Sequence, residues 1–495
     1  MKYRPIPYYL LLLTIILLSF FLYSSRYYPL LNSDDALNVL IAHYYRLPDD
    51  FYCWGQDRGG TLIPMISQVF IKLFHCSALV AVSLSNYLLL ILGYWSLSSL
   101  IKSKYYKIIL AVIWFLPVQR YIDLLRFPIG VQYSLLGFSL FLITLLEKKA
   151  ASKWVVKHLL LLSITIVLST TVWVSDLSMV SIAVLLGTLA LFHILKHKNL
   201  RFDKAILPYF FIGTTACYLF VRYAKSFATT KTAHYLSING FHELKNAMLL
   251  LWEALWKDLT FGTDESLVSL YFYLTLLFVF AFAFFIVKKR LPVHLFSNKW
   301  SAFFLADAVV VFAAMLASSW VLANGMGRWY FVATYISFSM FVLLTLDQAE
   351  KRCPKMLRYS VLVLAVLGAI TPIYTMKYVE PKTLRPMADI VGEFTQLGEV
   401  GIIADFWNSY ITSCPDPEHI KATPCDKCGV RNPKIVDMVF EKDNIYVIRD
   451  MWMDHFPDTL QQFGHVLLKE GEPFNMGNCN VCKYGKTKIT KTSSN

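Results

Sequence analysis

Charge is scarce in this chain of 495 residues: 16% of them are Asp, Glu, Lys or Arg, against 56% hydrophobic. Soluble globular domains carry about 25% charged residues, so the composition excludes an ordinary soluble enzyme and points to a polytopic membrane protein. Segments of about ten residues with alternating polarity are missing, which excludes a transmembrane barrel and leaves helices to cross the bilayer. No internal repeat period is visible. The first apolar segment, 8–25, lacks a small-residue cleavage site, since Tyr23-Ser24-Ser25-Arg26 runs on into Tyr27-Tyr28-Pro29; it reads as a retained span and not a signal peptide. No His/Asp/Glu set shows metal-ligand spacing in the membrane half, so no catalytic cofactor is expected.

What the chain has instead is long apolar runs, near 8–25, 78–100, 108–119, 131–146, 159–174, 177–195, 205–222, 267–287, 301–323, 329–346 and 359–375, or about 11 crossings. Basic residues outnumber acidic ones, 47 to 33, for a net charge of +14. They gather in alternate short connections: Lys2 and Arg4, then Lys102/Lys104/Lys107, Lys148/Lys149/Lys153/Lys157, Lys196/Lys198/Arg201/Lys204, Lys288/Lys289/Arg290/Lys299 and Lys351/Arg352/Lys355/Arg358. One topology satisfies the positive-inside rule at every turn, with the amino end in the cytoplasm and the carboxyl end outside. The basic balance therefore encodes orientation in a plasma membrane, not binding to nucleic acid.

The expected fold is an all-α polytopic membrane domain over 1–375 followed by a small extracytoplasmic α/β domain over 376–495. Two large outer loops interrupt the spans. In the first, 26–77, Ser33 is expected to cap an amphipathic helix from Ala36 to Tyr45, and 63–74 reads as a second helix lying in the interface. In the second, 223–266, Trp252 and Trp256 at helical spacing suit another interfacial helix. Beyond 376 prolines and mixed charge replace the apolar runs; Val400–Ala404 and Asn444–Ile448 read as strands, 387–397 and 452–463 as helices, and 486–495 as a disordered tail.

Asp34 and Asp35 stand just past the outer end of the first span, where unneeded charge is expensive. Acids in the first turn of a helix are stabilised by its dipole, a sufficient structural explanation by itself. The functional reading adds that two like charges at low dielectric raise one another's pKa, which suits one of them to act as general base. Downstream, Trp54-Gly55-Gln56-Asp57-Arg58-Gly59-Gly60-Thr61 offers glycines that let the backbone approach a ligand and an arginine able to pair with a phosphate; a tight turn with a surface arginine is the alternative.

Ser33-Asp34-Asp35-Ala36 followed by Gly55-Gln56-Asp57-Arg58-Gly59-Gly60-Thr61 resembles the first outer loop of GT-C membrane glycosyltransferases, in particular the protein O-mannosyltransferase-like and aminoarabinose-transferase-like enzymes. Arg328-Trp329-Tyr330 is similar to the start of a late helix in that family, and Ala404-Asp405-Phe406-Trp407-Asn408-Ser409-Tyr410 to an aromatic stretch at the head of its outer domain. The chain departs from it in carrying Asp35 where many relatives have Glu, and in its cysteine-rich carboxyl end. The resemblance implies inverting transfer of a sugar from a polyprenyl-phosphate donor to a glycan, lipid or protein acceptor at the outer membrane face. Asp34 would be the base and Asp35 its partner, with Gln56, Asp57, Arg58, His43, Arg126 and Arg328 binding substrate. Arg120, Asp123 and Asp176 share the outer edge but read as anchors or solvated loop residues.

The rival function is a polytopic transporter or lipid flippase, which should show two related halves with charged or broken helices near mid-membrane; no such halves are visible. A non-enzymatic scaffold leaves the acidic pair unexplained. Of nine cysteines, Cys53, Cys414, Cys425, Cys428, Cys479 and Cys482 are expected outside, where disulfides persist. The pairs Cys425/Cys428 and Cys479/Cys482 suit a structural zinc held by four thiolates, with disulfides involving Cys414 as the alternative.

Overall fold

The computed structural model describes residues 6–126, 128–149, 154–198, 205–228, 237–288, 298–349, 353–379 and 382–487. Among these, ten helices are long and apolar enough to cross a membrane, and a bent pair, Lys104–Phe115 and Gln119–Leu125, makes eleven if it is counted as one span. The bend is 91°. Its cause is Pro117, which has no N–H to continue the helix and drives the preceding residue out of helical geometry; Leu116 sits at φ −130°, ψ 59°. The chain therefore turns sharply, and Gln119–Leu125 runs nearly perpendicular to Lys104–Phe115. Several of the inner-side basic residues (Lys2, Arg4, Lys153, Arg201, Lys204, Lys289, Arg290, Lys351 and Arg352) lie outside the described residues.

Spans meet through small residues where lipid offers no hydrophobic drive for association. Between Ala78–Ser98 and Pro128–Lys149, a Cβ on Gly93 would fall 2.7 Å from Cα of Ser134, so only glycine permits the approach. A polar knot ties the second of these to two further spans. Asp307, fully buried in Lys299–Ala317, accepts hydrogen bonds at Oδ2 from Tyr133 (2.6 Å) and from Ser337, which also donates to Tyr133 at 3.1 Å.

Outside the spans, Leu62–Phe74 is a short apolar helix with exposed Val69, Leu73 and Phe74, and Phe241–Leu259 presents exposed, stacked Trp252 and Trp256. Helices form at both of the expected places. The Ser33–Tyr44 helix does not lie on the surface: Ala36, Leu37, Val39, Leu40, Ile41 and Ala42 are all buried, because Leu62–Phe74 and Ala78–Ser98 pack against it together with Phe406–Ser413 of the carboxyl-terminal unit.

That unit is a six-stranded mixed sheet of order β2-β1-β3-β6-β5-β4, formed by β1 (Val400–Ala404), β2 (Ile420–Pro424), β3 (Asn444–Arg449), β4 (Thr459–Gln462), β5 (His465–Met476) and β6 (Cys479–Lys486). The first three are parallel and the others antiparallel. Strands β1 and β3 match expectation, and 387–397 is helical, as Met387–Val391 followed by a 3-10 turn. The helix expected over 452–463 is absent. Its apolar spacing, Trp452, Met453 and Phe456, mimics a helix, but Pro457 interrupts it and Thr459–Gln462 instead pairs with β5. Lys486 ends β6 and Thr487 still bonds the Val466 carbonyl, so order continues past 486; residues 488–495 lie outside the described residues.

The four-thiolate zinc site is also overturned. Cys425 and Cys428 form a disulfide, while Cys479 and Cys482 are thiols. Residues three apart in a strand point to opposite faces, so the second pair cannot make a knuckle. Strands β1 and β3 separate β2 from β6, a distance of about 14 Å at roughly 4.8 Å per strand. No group of three or more His, Cys, Asp or Glu among the described residues is placed to hold a metal.

Two outcomes test this architecture. Asp307→Leu leaves the buried Tyr133 hydroxyl without its acceptor and should cost about 1–3 kcal/mol in a denaturation curve of the detergent-solubilised chain, whereas Asp307→Asn, which keeps an acceptor oxygen, should cost less. Alkylation before reduction, followed by peptide mass analysis, should leave Cys425 and Cys428 unlabelled and joined, with no stoichiometric zinc in the protein; a zinc ion lost together with these cysteines would contradict the sheet geometry.

Candidate active site

The acidic pair is set by the start of its helix. Asn32, extended at φ −118°, ψ 176°, is the cap: its Oδ1 accepts from the Asp35 N–H at 3.0 Å, and the Asp35 carboxylate reaches back to the Asn32 N–H. Ser33, expected as the cap, is the first helical residue instead. Its hydroxyl donates to the Trp407 carbonyl at 2.9 Å and fastens the helix to the Phe406–Ser413 helix of the outer unit. At the far end Tyr44 donates to the Pro417 carbonyl at 2.6 Å, and Lys421 donates to Tyr44.

A turn of about 100° per residue sends the two carboxylates different ways. Asp35 points inward, 3% exposed, and accepts from Nη1 of Arg126 at 2.6 Å. The same guanidinium binds Asp123 at 2.7 Å through Nη2 and stacks over Tyr28, 4.2 Å from the ring centre. Burial pushes the Asp35 carboxyl up to about 6, against the pull of Arg126. Asp34 is half-buried and enters no ion pair among the described residues. Burial raises its carboxyl above the usual range, opposed by Arg431 and then Arg58. Mutual repulsion of the pair, the expected cause, is minor beside burial.

The bent segment puts Arg120, Asp123 and Arg126 around a cavity of about 270 Å³ that Tyr28, Arg328 and Trp329 also line. A second cavity of about 210 Å³, walled by Tyr121, Phe272, Phe312, Phe331 and Tyr335, shares Arg328 with the first. Arg328 is paired with Asp258, buried in the Phe241–Leu259 helix; Arg120 is paired with Glu265 and lies 3.5 Å from Asp258. Neither acid was foreseen, since a lone acid in an interfacial loop carries no spacing signal.

Other expected residues divide. Arg58 influences Asp34, donates from Nε to Gln56 at 3.0 Å, and lies over Trp320. Gln56 is buried as its partner. Asp57 acts on Tyr52 and is not among the groups that shift Asp34. The glycines serve the turn: Gly55 and Gly59 adopt φ 70°, and Gly60 is pressed against Trp173, where a Cβ would lie 2.5 Å from the carbonyl oxygen. His43 is not brought to the acids. Eight or nine residues along a helix is about 12–13 Å, and its ring is exposed against Tyr44, beside Lys421 and Glu418. Arg431, unmarked in the sequence, is the cation with the largest effect on Asp34.

No family model and no curated protein matches the chain. Solved structures similar to it include apo ArnT from Cupriavidus metallidurans, at TM-score 0.48 and 9% identity over 96% of this chain and 98% of that one. The same protein bound to undecaprenyl phosphate aligns at TM-score 0.42 and 10% identity over 97% and 98%. The apo oligosaccharyltransferase of Archaeoglobus fulgidus aligns at 0.45 and 10% over 90% and 69%.

The buried pair has a pH signature. With Asp35 at about 6 when folded and 3.8 ordinarily, folding takes up a proton between these values, so its contribution to stability is present below the lower one and lost as pH rises through the upper. Asp35→Asn should flatten the stability curve between about pH 4 and 6. Arg126→Leu should cost about 3–5 kcal/mol near neutral pH by leaving buried carboxylates unpaired; chemical denaturation across pH reads both.

Proposed function

We propose that the chain is a membrane glycosyltransferase that moves a sugar from a polyprenyl-phosphate carrier to a glycan, lipid or protein acceptor at the outer face of the plasma membrane, with inversion and with Asp34 as general base. The observation that carries this is the division of labour in the acidic pair. Asp35 is locked to Arg126, which lines an arginine-walled cavity that shares Arg328 with an aromatic one, while its neighbour Asp34 is half-buried, enters no ion pair among the described residues and is raised in pKa by burial. The aromatic cavity suits an isoprenoid tail, and the charge-paired polar one beside it suits the hydroxyls of a sugar.

In the step so framed, Asp34 takes the proton of the acceptor hydroxyl. The freed oxygen attacks the anomeric carbon from the face opposite the carrier, the carbon–oxygen bond to phosphate breaks, and its electron pair leaves on the phosphate oxygen. The lipid phosphate is a stable anion that needs cationic surroundings rather than an acid. Arg58, beside Asp34, is the nearest of the foreseen cations; Arg126 and Arg328 shape the cavity while held by Asp35, Asp123 and Asp258. The reaction as written uses no cofactor. The alternation of basic connections supports an extracytoplasmic outer unit.

Asp34→Asn should keep fold and donor binding yet lose about 10²–10⁴-fold in turnover, measured as transfer from a polyprenyl-phosphate sugar at matched amounts of folded protein. Wild-type activity should fall as pH drops through the raised pKa of Asp34. An active Asp34→Asn enzyme would refute the assignment, and lipid extracted from the purified chain should contain polyprenyl phosphate.

A further inference from the structure

The arginines around the larger cavity are already matched by acids. Arg126 is held by Asp35 and Asp123, Arg328 by Asp258, and Arg120 by Glu265 and Asp258. Three guanidinium groups face four carboxylates, so a phosphate placed among them must displace a carboxylate or be repelled. The anion of a lipid-linked substrate needs a cation that is not spent.

Arg431 is such a cation. It is half-buried, its Nε is shielded from solvent with no hydrogen-bond partner, and its guanidinium lies 5.2 Å from the Phe406 ring centre. No carboxylate pairs with it among the described residues. Its backbone N–H donates to the Tyr410 hydroxyl at 2.9 Å. Phe406 and Tyr410 belong to the helix whose Trp407 carbonyl receives the Ser33 hydroxyl, one residue before Asp34. The outer unit thus delivers Arg431 to the start of the helix that carries the base. Arg431 acts on Asp34 more strongly than any other cation, and no ion pair closes between them among the described residues.

The loop that bears it is pinned on both sides. Upstream, the Cys425 N–H donates to the Ala404 carbonyl at 2.7 Å, the Cys425–Cys428 disulfide closes the turn, and Gly429 takes φ 82°. Downstream, Asn432 caps the Pro433–Glu441 helix by accepting from the Lys434 N–H at 3.0 Å. A side chain held this way loses little freedom on binding, and a guanidinium fork matches two phosphate oxygens.

We propose that Arg431 grips the phosphate of the lipid-linked substrate beside Asp34, so that the outer unit supplies half of the active site. This rests on the glycosyl-transfer reading above. The role is electrostatic and positional: Arg431 neutralises the phosphate before transfer and the additional negative charge left on it when the bond to sugar breaks.

Wild type, Arg431→Gln and Arg431→Lys are reconstituted in phosphatidylcholine nanodiscs and titrated with undecaprenyl phosphate and, separately, with undecaprenol, which has the same tail and no phosphate. Wild type should prefer the phosphate. Arg431→Gln should bind it about 10- to 100-fold more weakly, with undecaprenol binding and the thermal melt unchanged. Arg431→Lys, which keeps the charge and loses the fork, should fall between them, and it decides the matter should the Gln variant not fold. Removal of this cation should also move the acid limb of the turnover profile to higher pH, a shift that a merely structural role would not produce. Undiminished phosphate affinity in either variant, with a wild type that discriminates, overturns the role of Arg431 and leaves the transferase reading standing. A wild type that binds both lipids alike overturns the transferase reading, and this one with it.

Discussion

The Asp35–Arg126 ion pair is the contact on which the arrangement depends. It joins residues 91 apart in sequence, one at the head of the Ser33–Tyr44 helix and the other at the end of the segment bent by Pro117. Burying two charges is expensive, and such pairs add little net stability compared with apolar groups of the same shape. Their effect here is on register. With Asp35 directed inward, the helix has one rotation about its axis, and that rotation puts Asp34 at the open edge. With Arg126 held by Asp35, Asp123 and Tyr28, the wall of the larger cavity is rigid.

The outer unit is the second constraint. Ser33 and Tyr44 fasten both ends of the acidic helix to it, and most of the apolar face of that helix is buried as a result. The carboxyl-terminal sheet is therefore part of how the acids are presented, not a module hung from the membrane domain. The disulfide between Cys425 and Cys428 belongs to the same scheme, since it shapes the loop between β2 and the helix that follows.

Much of this was legible in the sequence where the signal is local. Apolar run length located the spans, Pro117 accounts for the one that breaks, and strands β1 and β3 stand out as short β-branched runs. The acidic pair was visible because charge at a membrane edge is costly and so conspicuous. Local signals also misled. Apolar residues at helical spacing in 452–463 serve a turn and an edge strand, and two CxxC spacings of equal appearance fall in a turn and in a strand, whose side-chain directions differ. The glycine-rich stretch looked like a ligand cradle, but the backbone it admits is that of Trp173.

The sequence by itself determined the class of fold, the spans from run length, and the pair of acids that follows the first of them, because hydropathy, helix capping and proline act over a few residues. It did not lock Asp35 to Arg126, pair Arg328 with Asp258, set His43 against Tyr44 or reveal Arg431. Those depend on which way each helix is rotated and on what a domain nearly 400 residues away sets against it. Side-chain direction and charge pairing are properties of packed elements, and only the tertiary structure decided them.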